Sequence, residues 1–180
     1  MHVKTRMLAF SGLFLALSVV CMALGSIIET NTLFLLAAAS YFVGIVIREF
    51  GMKAGAVFYL ADVLLGFLIT PNKFYVISFA AMGFYILAAE GSFRILGRSK
   101  GNVQKRGIFW AIKYIVFNGM YIPMVLVFQE LLFAKELSGG GLAAVIAAGQ
   151  IGVWIYDRAY EYVQVHIWSK FRGRLLKTVK

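Results

Sequence analysis

Six apolar stretches follow one another along the chain, separated by short polar segments. Most approach the roughly 20 apolar residues that an α-helix needs to cross the hydrocarbon of a bilayer. None shows the alternation of apolar and polar residues that is typical of a strand. The stretches are Met7–Ile28, Thr32–Ile47, Ala54–Thr70, Phe74–Phe93, Gly107–Phe133 and Leu142–Tyr156. The pattern predicts an all-α fold, an integral membrane bundle of six transmembrane helices.

The segments between the stretches alternate between basic and nearly uncharged. Fifteen of the 18 lysines and arginines lie in the N-terminal tail, the second and fourth loops, and the C-terminal tail. They are Lys4, Arg6, Arg48, Lys53, Arg94, Arg98, Lys100, Lys105, Arg106, Arg158, Lys170, Arg172, Arg174, Lys177 and Lys180. The other side has only Lys73 and Lys135. Because cytoplasmic loops hold the excess of Lys and Arg, both termini are expected in the cytoplasm.

Composition agrees with a membrane protein. Hydrophobic residues make up 61% of the chain, charged residues 14%, and the mean hydropathy is +0.82. The net charge of +10 sits in short loops beside the membrane, where it favours anionic lipid rather than nucleic acid. We expect a single domain over residues 1–180 whose first stretch is kept as a helix. From about residue 158 an amphipathic cytoplasmic tail is expected along the membrane surface.

Small residues form a narrow face on the first predicted helix. Ala9, Gly12 and Ala16 fall on one side because spacings of three, four and seven residues return to the same face. Small side chains let a second helix approach closely. The face is either a docking surface for another membrane protein or ordinary packing within the bundle, and spacing leaves both open.

Ionisable residues within the stretches mark function or a structural pair, because charge is costly in the membrane. Counted from the cytoplasmic end, Asp62 lies about 12 Å into the third stretch and Lys113 about 9 Å into the fifth. We expect these two to form a buried ion pair with Asp157 nearby, as a packing contact or as a relay. Glu90 and Arg94, four residues apart, are expected to pair locally.

A second polar group is expected toward the outer side, where it could line a substrate pocket. Its members are Glu29, Asn31, Asn72, Tyr75, Asn118, Tyr121, Gln129, Gln150 and Trp154. Amides could bond the edges of a ligand while Tyr121 and Trp154 stack on a ring. Pro123 predicts a kink or break in the fifth helix. The alternative is that these residues are only interfacial or interhelical contacts.

Several kinds of chemistry have no motif in the chain. It contains no phosphate-binding glycine loop, no His/Glu zinc pattern and no nucleophile elbow. We therefore expect a protein that is not itself an enzyme and that needs no metal or other cofactor. A pocket without a dense basic patch or grouped metal ligands favours a small, partly aromatic, neutral or weakly charged organic molecule.

In layout the chain resembles the substrate-binding S components of energy-coupling factor transporters. The resemblance rests on six spans with both ends inside, the small-residue face within Gly12–Val20, and the segments Phe50–Val57 and Ala61–Leu68. These two segments look like the glycine-flanked basic turn and the aspartate-bearing third helix of that family. The resemblance implies capture of a vitamin or similar micronutrient at a prokaryotic cell membrane. It also implies two cytoplasmic ATPases as partners, and a transmembrane coupling subunit that docks on Ala9, Gly12 and Ala16.

Two other classes remain open from the sequence. Small six-span scaffold proteins of cell-envelope assemblies share this layout and would not transport anything. An intramembrane enzyme would need an acid pair such as Asp62 and Asp157, but neither residue has the flanking motif of known aspartyl membrane proteases.

Overall fold

The computed structural model describes residues 2–97, 104–127 and 139–177, and nearly all of these residues are helical. Six helices are long and apolar enough to cross a membrane, and no strand occurs in the described ranges. The six candidate spans are Met7–Ile27, Thr32–Phe50, Met52–Ile69, Lys73–Leu96, Gly107–Val127 and Gly139–Gly173. The predicted all-α class with six membrane-spanning helices is confirmed. The cytoplasmic location of the termini stays a prediction.

The chain divides into two units, Met1–Gly101 and Asn102–Lys180. The first contains α1 (His2–Ile27), a 3₁₀ turn (Glu29–Asn31), α2 (Thr32–Phe50), α3 (Met52–Ile69) and α4 (Lys73–Gly97). The second contains α5 (Gln104–Val127), α6 (Gly139–Tyr162), a π-helical segment (Val163–Trp168) and α7 (Ser169–Lys177). That all six spans form one domain stays a prediction.

Side-chain caps close the two turns at one end of the first unit, which we call its neutral end (Ile28–Asn31 and Thr70–Asn72). At the α1–α2 turn, Thr32 Oγ1 donates to the carbonyl of Gly25 at 2.9 Å. At the α3–α4 turn, the Asn72 side chain accepts from the N–H of Phe74 at 3.1 Å, and Lys73 Nζ donates to the carbonyl of Thr70 at 3.0 Å. The caps satisfy backbone groups that helix ends leave without intrahelical partners.

A single residue, Gly51, joins α2 to α3 at the opposite, basic end of the first unit (Arg48, Lys53 and Arg94). Its φ of 95° lies in a region that favours glycine, and its N–H donates to Ile47 O at 2.9 Å. Beside this turn Arg48 pairs with Glu90 at 2.6 Å, and Arg94 donates to the carbonyl of Ile47 at 2.5 Å. The expected local pair of Glu90 with Arg94 is therefore wrong. Both side chains bond to α2 instead, Glu90 to Arg48 and Arg94 to the carbonyl of Ile47.

The first unit is apolar both inside and outside. Large side chains such as Leu36, Phe79 and Ile86 are fully buried between its helices. Other large apolar side chains point outward, and Leu13 and Leu64 remain 53% and 66% exposed. An outer surface of this kind suits hydrocarbon, and the helices satisfy their own backbone hydrogen bonds as a bilayer requires.

Two features of the second unit bear on the expectations from the sequence. Pro123 does not break α5, which continues to Val127, and a kink there stays a prediction. The candidate span Gly139–Gly173 is 35 residues long, or about 52 Å at 1.5 Å per residue, against a hydrocarbon core of about 30 Å. The helix therefore extends well beyond the length of one span, passing through the π-helical segment on the way. That its end lies along the membrane surface stays a prediction.

Candidate functional site

A buried carboxyl group lies among three helices of the first unit. Asp62 on α3 is fully buried, and its Oδ2 lies 2.5 Å from Ser18 Oγ on α1. Ser18 Oγ is also 3.2 Å from the carbonyl oxygen of Ala39 on α2. Among the described residues, Asp62 Oδ1 has no hydrogen-bond partner. The two contacts join three residues, Asp62, Ser18 and Ala39, into a polar cluster inside an otherwise apolar interior, and we call it the Asp62 cluster.

A second polar centre joins α5 and α6 in the second unit. Lys113 Nζ lies 2.6 Å from Asp157 Oδ1, with the two side chains 4% and 0% exposed. The carboxylate of Glu161 is 3.7 Å from the same nitrogen and is far more exposed. Within its own unit Lys113 binds Asp157, and within the first unit Asp62 contacts Ser18, while the predicted pair of Lys113 with Asp62 stays a prediction. Counting depth gives the level of a charge in its helix but not the direction in which it points.

Aromatic rings surround the cations of this centre. Lys113 Nζ lies 4.2 Å from the centre of the Phe109 ring and 5.1 Å from that of Trp110. The guanidinium of Arg158 lies 5.6 Å from Trp110 and 5.9 Å from Trp154. Contacts at such distances attract cations to the faces of rings.

Trp154 lies beside Arg158, whose guanidinium is also near Trp110. Along α6 it is four residues from Gln150, or about 6 Å at 1.5 Å per residue. That Trp154 shares a pocket with the outer amides stays a prediction.

Two amides of the expected pocket bond each other instead of facing open space. Gln150 Nε2 donates to Asn118 Oδ1 at 2.7 Å, and Asn118 Nδ2 donates to Gln150 Oε1 at 3.2 Å and to Tyr114 O at 2.9 Å. Tyr121 donates its hydroxyl hydrogen to Val145 O at 2.8 Å. These contacts hold α5 to α6, as interhelical hydrogen bonds commonly do in membranes.

The other expected pocket residues fall into two groups. Asn31, Asn72 and Tyr75 all lie at the neutral end of the first unit, two of them in its turns and the third in the first turn of α4. The side chain of Glu29 and the whole of Gln129 lie outside the described residues. Within the described part of the chain, no group of three His, Cys, Asp or Glu residues could hold a metal ion.

The small residues of α1 point away from the packed face of their helix. Ala9, Gly12 and Ala16 are exposed, and a side chain added at Gly12 would meet no atom within 4 Å. On the opposite face Phe14 and Ser18 are buried, and Phe14 stacks on Phe42 of α2 with ring centres 5.5 Å apart. The small face is thus not used for packing among the four helices of its own unit.

Sequence reasoning missed two residues that complete these centres. Ser18 was not paired with Asp62, although a hydroxyl opposite the small face of α1 is the kind of group that an inward carboxyl would need. Arg48 was assigned only to loop charge, whereas it is the partner of Glu90. Both contacts join residues more than 40 positions apart, so no local spacing indicates them.

The chain matches no protein-family model, and comparisons with curated proteins and with solved structures find no match either. The fold places the chain in the class of all-helical, multi-pass membrane proteins. Its interior holds a buried carboxyl cluster in one unit and a buried ion pair in the other.

Proposed function

We propose that this chain is the substrate-capture subunit of an uptake transporter of the energy-coupling factor type. It would bind a vitamin-like molecule from outside a prokaryotic plasma membrane. Transport would then depend on a transmembrane coupling subunit and two cytoplasmic ATPases. The chain itself would carry out no chemical reaction and would use no cofactor.

The observation that carries the proposal is the division of α1 into two faces. Its buried face is held against α2 through Phe14 and against α3 through Ser18. Its opposite face offers Ala9, Gly12 and Ala16, where a partner backbone could approach closely because these side chains are small. A helix that is anchored on one side and carries small exposed residues on the other is suited to reversible docking of a second membrane protein.

The proposed capture site is at the neutral end of the first unit. Asn31, Asn72 and Tyr75 lie there together with the turn that carries Glu29. Asn118 and Gln150 are less suited to a ligand because they already satisfy each other. Amides and a phenol favour a small, neutral or weakly charged organic ligand with an aromatic part.

Substitutions on α1 test the proposal directly. Gly12→Leu and Ala16→Trp would fill the small face, and each should abolish uptake by cells and co-purification with ATPase subunits. Both variants should keep the stability of the purified protein, because Ala16 is exposed and a side chain added at Gly12 meets no atom within 4 Å. Leu64→Trp is the matched control, since it adds bulk to an exposed position on α3 and should leave uptake unchanged. Normal uptake by both α1 variants would contradict the proposal.

The mutual bonding of Asn118 and Gln150 favours a second candidate, a non-transporting scaffold of a cell-envelope complex. A scaffold needs interhelical bonds of this kind but no ligand site. A thermal-shift screen of the purified protein against vitamins and nucleobases separates the two functions. Capture predicts a stabilising compound whose effect weakens in Asn72→Ala and Tyr75→Phe. A screen without any such compound, together with a co-purifying envelope protein, would favour the scaffold.

A further inference from the structure

We propose that the Asp62 cluster is a proton-binding site inside the membrane, in which Asp62 is a neutral carboxylic acid that donates to Ser18 Oγ. The inference is independent of the proposed transport function. It rests on the positions of three oxygen atoms, on the unpartnered fourth oxygen, and on the charges available around them.

The first argument counts hydrogens. Ser18 Oγ lies within hydrogen-bond distance of two oxygens, Asp62 Oδ2 at 2.5 Å and Ala39 O at 3.2 Å. A serine hydroxyl has a single hydrogen to donate, so it can serve only one of them. If Asp62 Oδ2 carries a proton, that proton is donated to Ser18 and the serine hydrogen goes to Ala39. Both contacts are then hydrogen bonds, which an ionised Asp62 cannot provide.

The second argument concerns Asp62 Oδ1. This atom is buried and accepts no hydrogen bond from the described residues. A carboxylate spreads its charge over both oxygens, so an unsolvated Oδ1 would carry part of a charge in a medium that penalises it strongly. In a neutral acid the same atom is a carbonyl oxygen, for which a missing hydrogen bond costs far less.

The third argument concerns the surroundings of Asp62. Along α3, Asp62 lies between Tyr59, which is close to Gly83 of α4, and Gly66, which is close to Val76 of α4. The part of α4 at the level of Asp62 therefore runs from Val76 to Gly83, and it has no titratable side chain. Near this level, the titratable groups on the remaining helices are Cys21 on α1, which is close enough to interact electrostatically with Asp62, Tyr41 on α2 and Tyr59 on α3 itself. All three are ordinarily neutral near pH 7, so none supplies a positive charge.

Three basic side chains of the first unit are engaged at its two ends. Arg48 binds Glu90, Arg94 donates to the carbonyl of Ile47, and Lys73 donates to the carbonyl of Thr70. Arg48 is nine residues from Ala39 along α2, or about 13 Å at 1.5 Å per residue. Among the described residues of the first unit, a negative charge on Asp62 would thus lack a nearby cation to compensate its burial.

Release of the proton must therefore accompany a change in packing. An ionised Asp62 would take the serine hydrogen away from Ala39 and would need water or a cation to enter between α1, α2 and α3. The contact that joins these helices would be exchanged for a solvated charge. Proton binding and close packing of the three helices are consequently linked.

The amino-acid composition permits a direct test on the unaltered protein. The chain contains two aspartates, Asp62 and Asp157, so labelling with ¹³C at the aspartate side-chain carboxyl gives two signals. In protein reconstituted in bilayers near pH 7, solid-state NMR should show one carboxylic acid and one carboxylate. Asp157 is the internal reference for the ionised form because it is bound to Lys113.

Two variants assign the signals. Asp62→Asn should remove the carboxylic acid signal, and the variant should fold because an amide can donate to Ser18 Oγ as the acid does. Asp157→Asn should remove the carboxylate signal and leave the acid in place. If Asp62→Asn fails to fold, Asp62→Glu serves the same purpose, because it also removes one labelled aspartate.

The outcomes decide the proposal. A carboxylic acid signal near pH 7 that disappears only with Asp62 supports it. Two carboxylate signals at that pH would overturn it. An Asp62 carboxylate whose signal shifts when Na⁺ replaces choline would also overturn it, because the occupant would then be a metal cation rather than a proton.

Discussion

Breaking the buried pair of Lys113 with Asp157 should destabilise the protein strongly, and repairing the charge balance should restore much of the loss. Lys113→Met removes the ammonium 2.6 Å from a fully buried carboxylate while keeping an unbranched side chain of similar length. Asp157→Asn removes the negative charge and keeps the shape of the side chain. The combined variant has neither charge.

The structure gives different magnitudes for the two single changes. Removing one member of a buried pair costs about 3–5 kcal/mol. Lys113→Met also loses the contacts of Nζ with Phe109 and Trp110, which are worth about 0.5–1 kcal/mol each. It should therefore fall at the upper end of this range. Asp157→Asn leaves Glu161 3.7 Å from Lys113, and since this carboxylate is partly exposed it offsets at most about 1 kcal/mol. This second variant should fall at the lower end.

The assay is unfolding in mixed micelles followed by circular dichroism, with the three variants forming a double-mutant cycle. The combined variant should lose about 2–3 kcal/mol less than Lys113→Met alone, because no unpaired charge is left buried. Its loss should therefore be clearly smaller than the sum of the two single losses. Lys113→Met combined with Asp62→Asn is the control and should be additive, because Asp62 has Ser18 as its partner. Additivity within about 0.5 kcal/mol for Lys113 and Asp157 would refute the reasoning.

Two further predictions concern packing in each unit. Gly149→Ala should destabilise the protein by about 1–3 kcal/mol because the added carbon would collide with the ring of Tyr121, whereas Gly152→Ala should be neutral or stabilising because nothing lies within 4 Å. Equal effects of the two alanines in thermal unfolding would rule out the close contact. Glu90→Gln should cost about 1–3 kcal/mol by weakening the charge-assisted bonds to Arg48, with no change in helical content by circular dichroism.

The sequence predicted that Lys113 lies in a buried ion pair, but it did not predict that Asp157 is its partner in the second unit. Lys113 and Asp62 sit at similar depths in their predicted helices, and depth alone made them partners. The structure assigns Lys113 to Asp157, because a contact also depends on which helices are neighbours and on how each is rotated about its axis. Residues four apart, such as Glu90 and Arg94, are close on any helix, yet Arg48 on another helix binds Glu90 instead.

The expected pocket also shows that the sequence indicates the level of a residue along its helix but not the direction of its side chain. Asn31, Asn72 and Tyr75 could be assigned to one end of the bundle by counting spans, and the structure keeps them at one end of the first unit. Trp154 lies beside Arg158, and its part in a pocket stays a prediction. Whether Asn118 and Gln150 face a cavity or each other depends on the rotation of two helices, which no spacing in the sequence records.

The sequence by itself determined that the chain is helical and that six segments can cross a membrane. The reason is that a backbone in hydrocarbon must satisfy its hydrogen bonds internally. A long apolar segment does so by forming an α-helix. Only the tertiary structure decided which polar side chains meet. The pattern of apolar and polar residues shows that a side chain is polar but not which other polar side chain it contacts. The hydrogen bond between Ser18 and Asp62 forms because the packing of α1 against α3 brings the two oxygens to 2.5 Å.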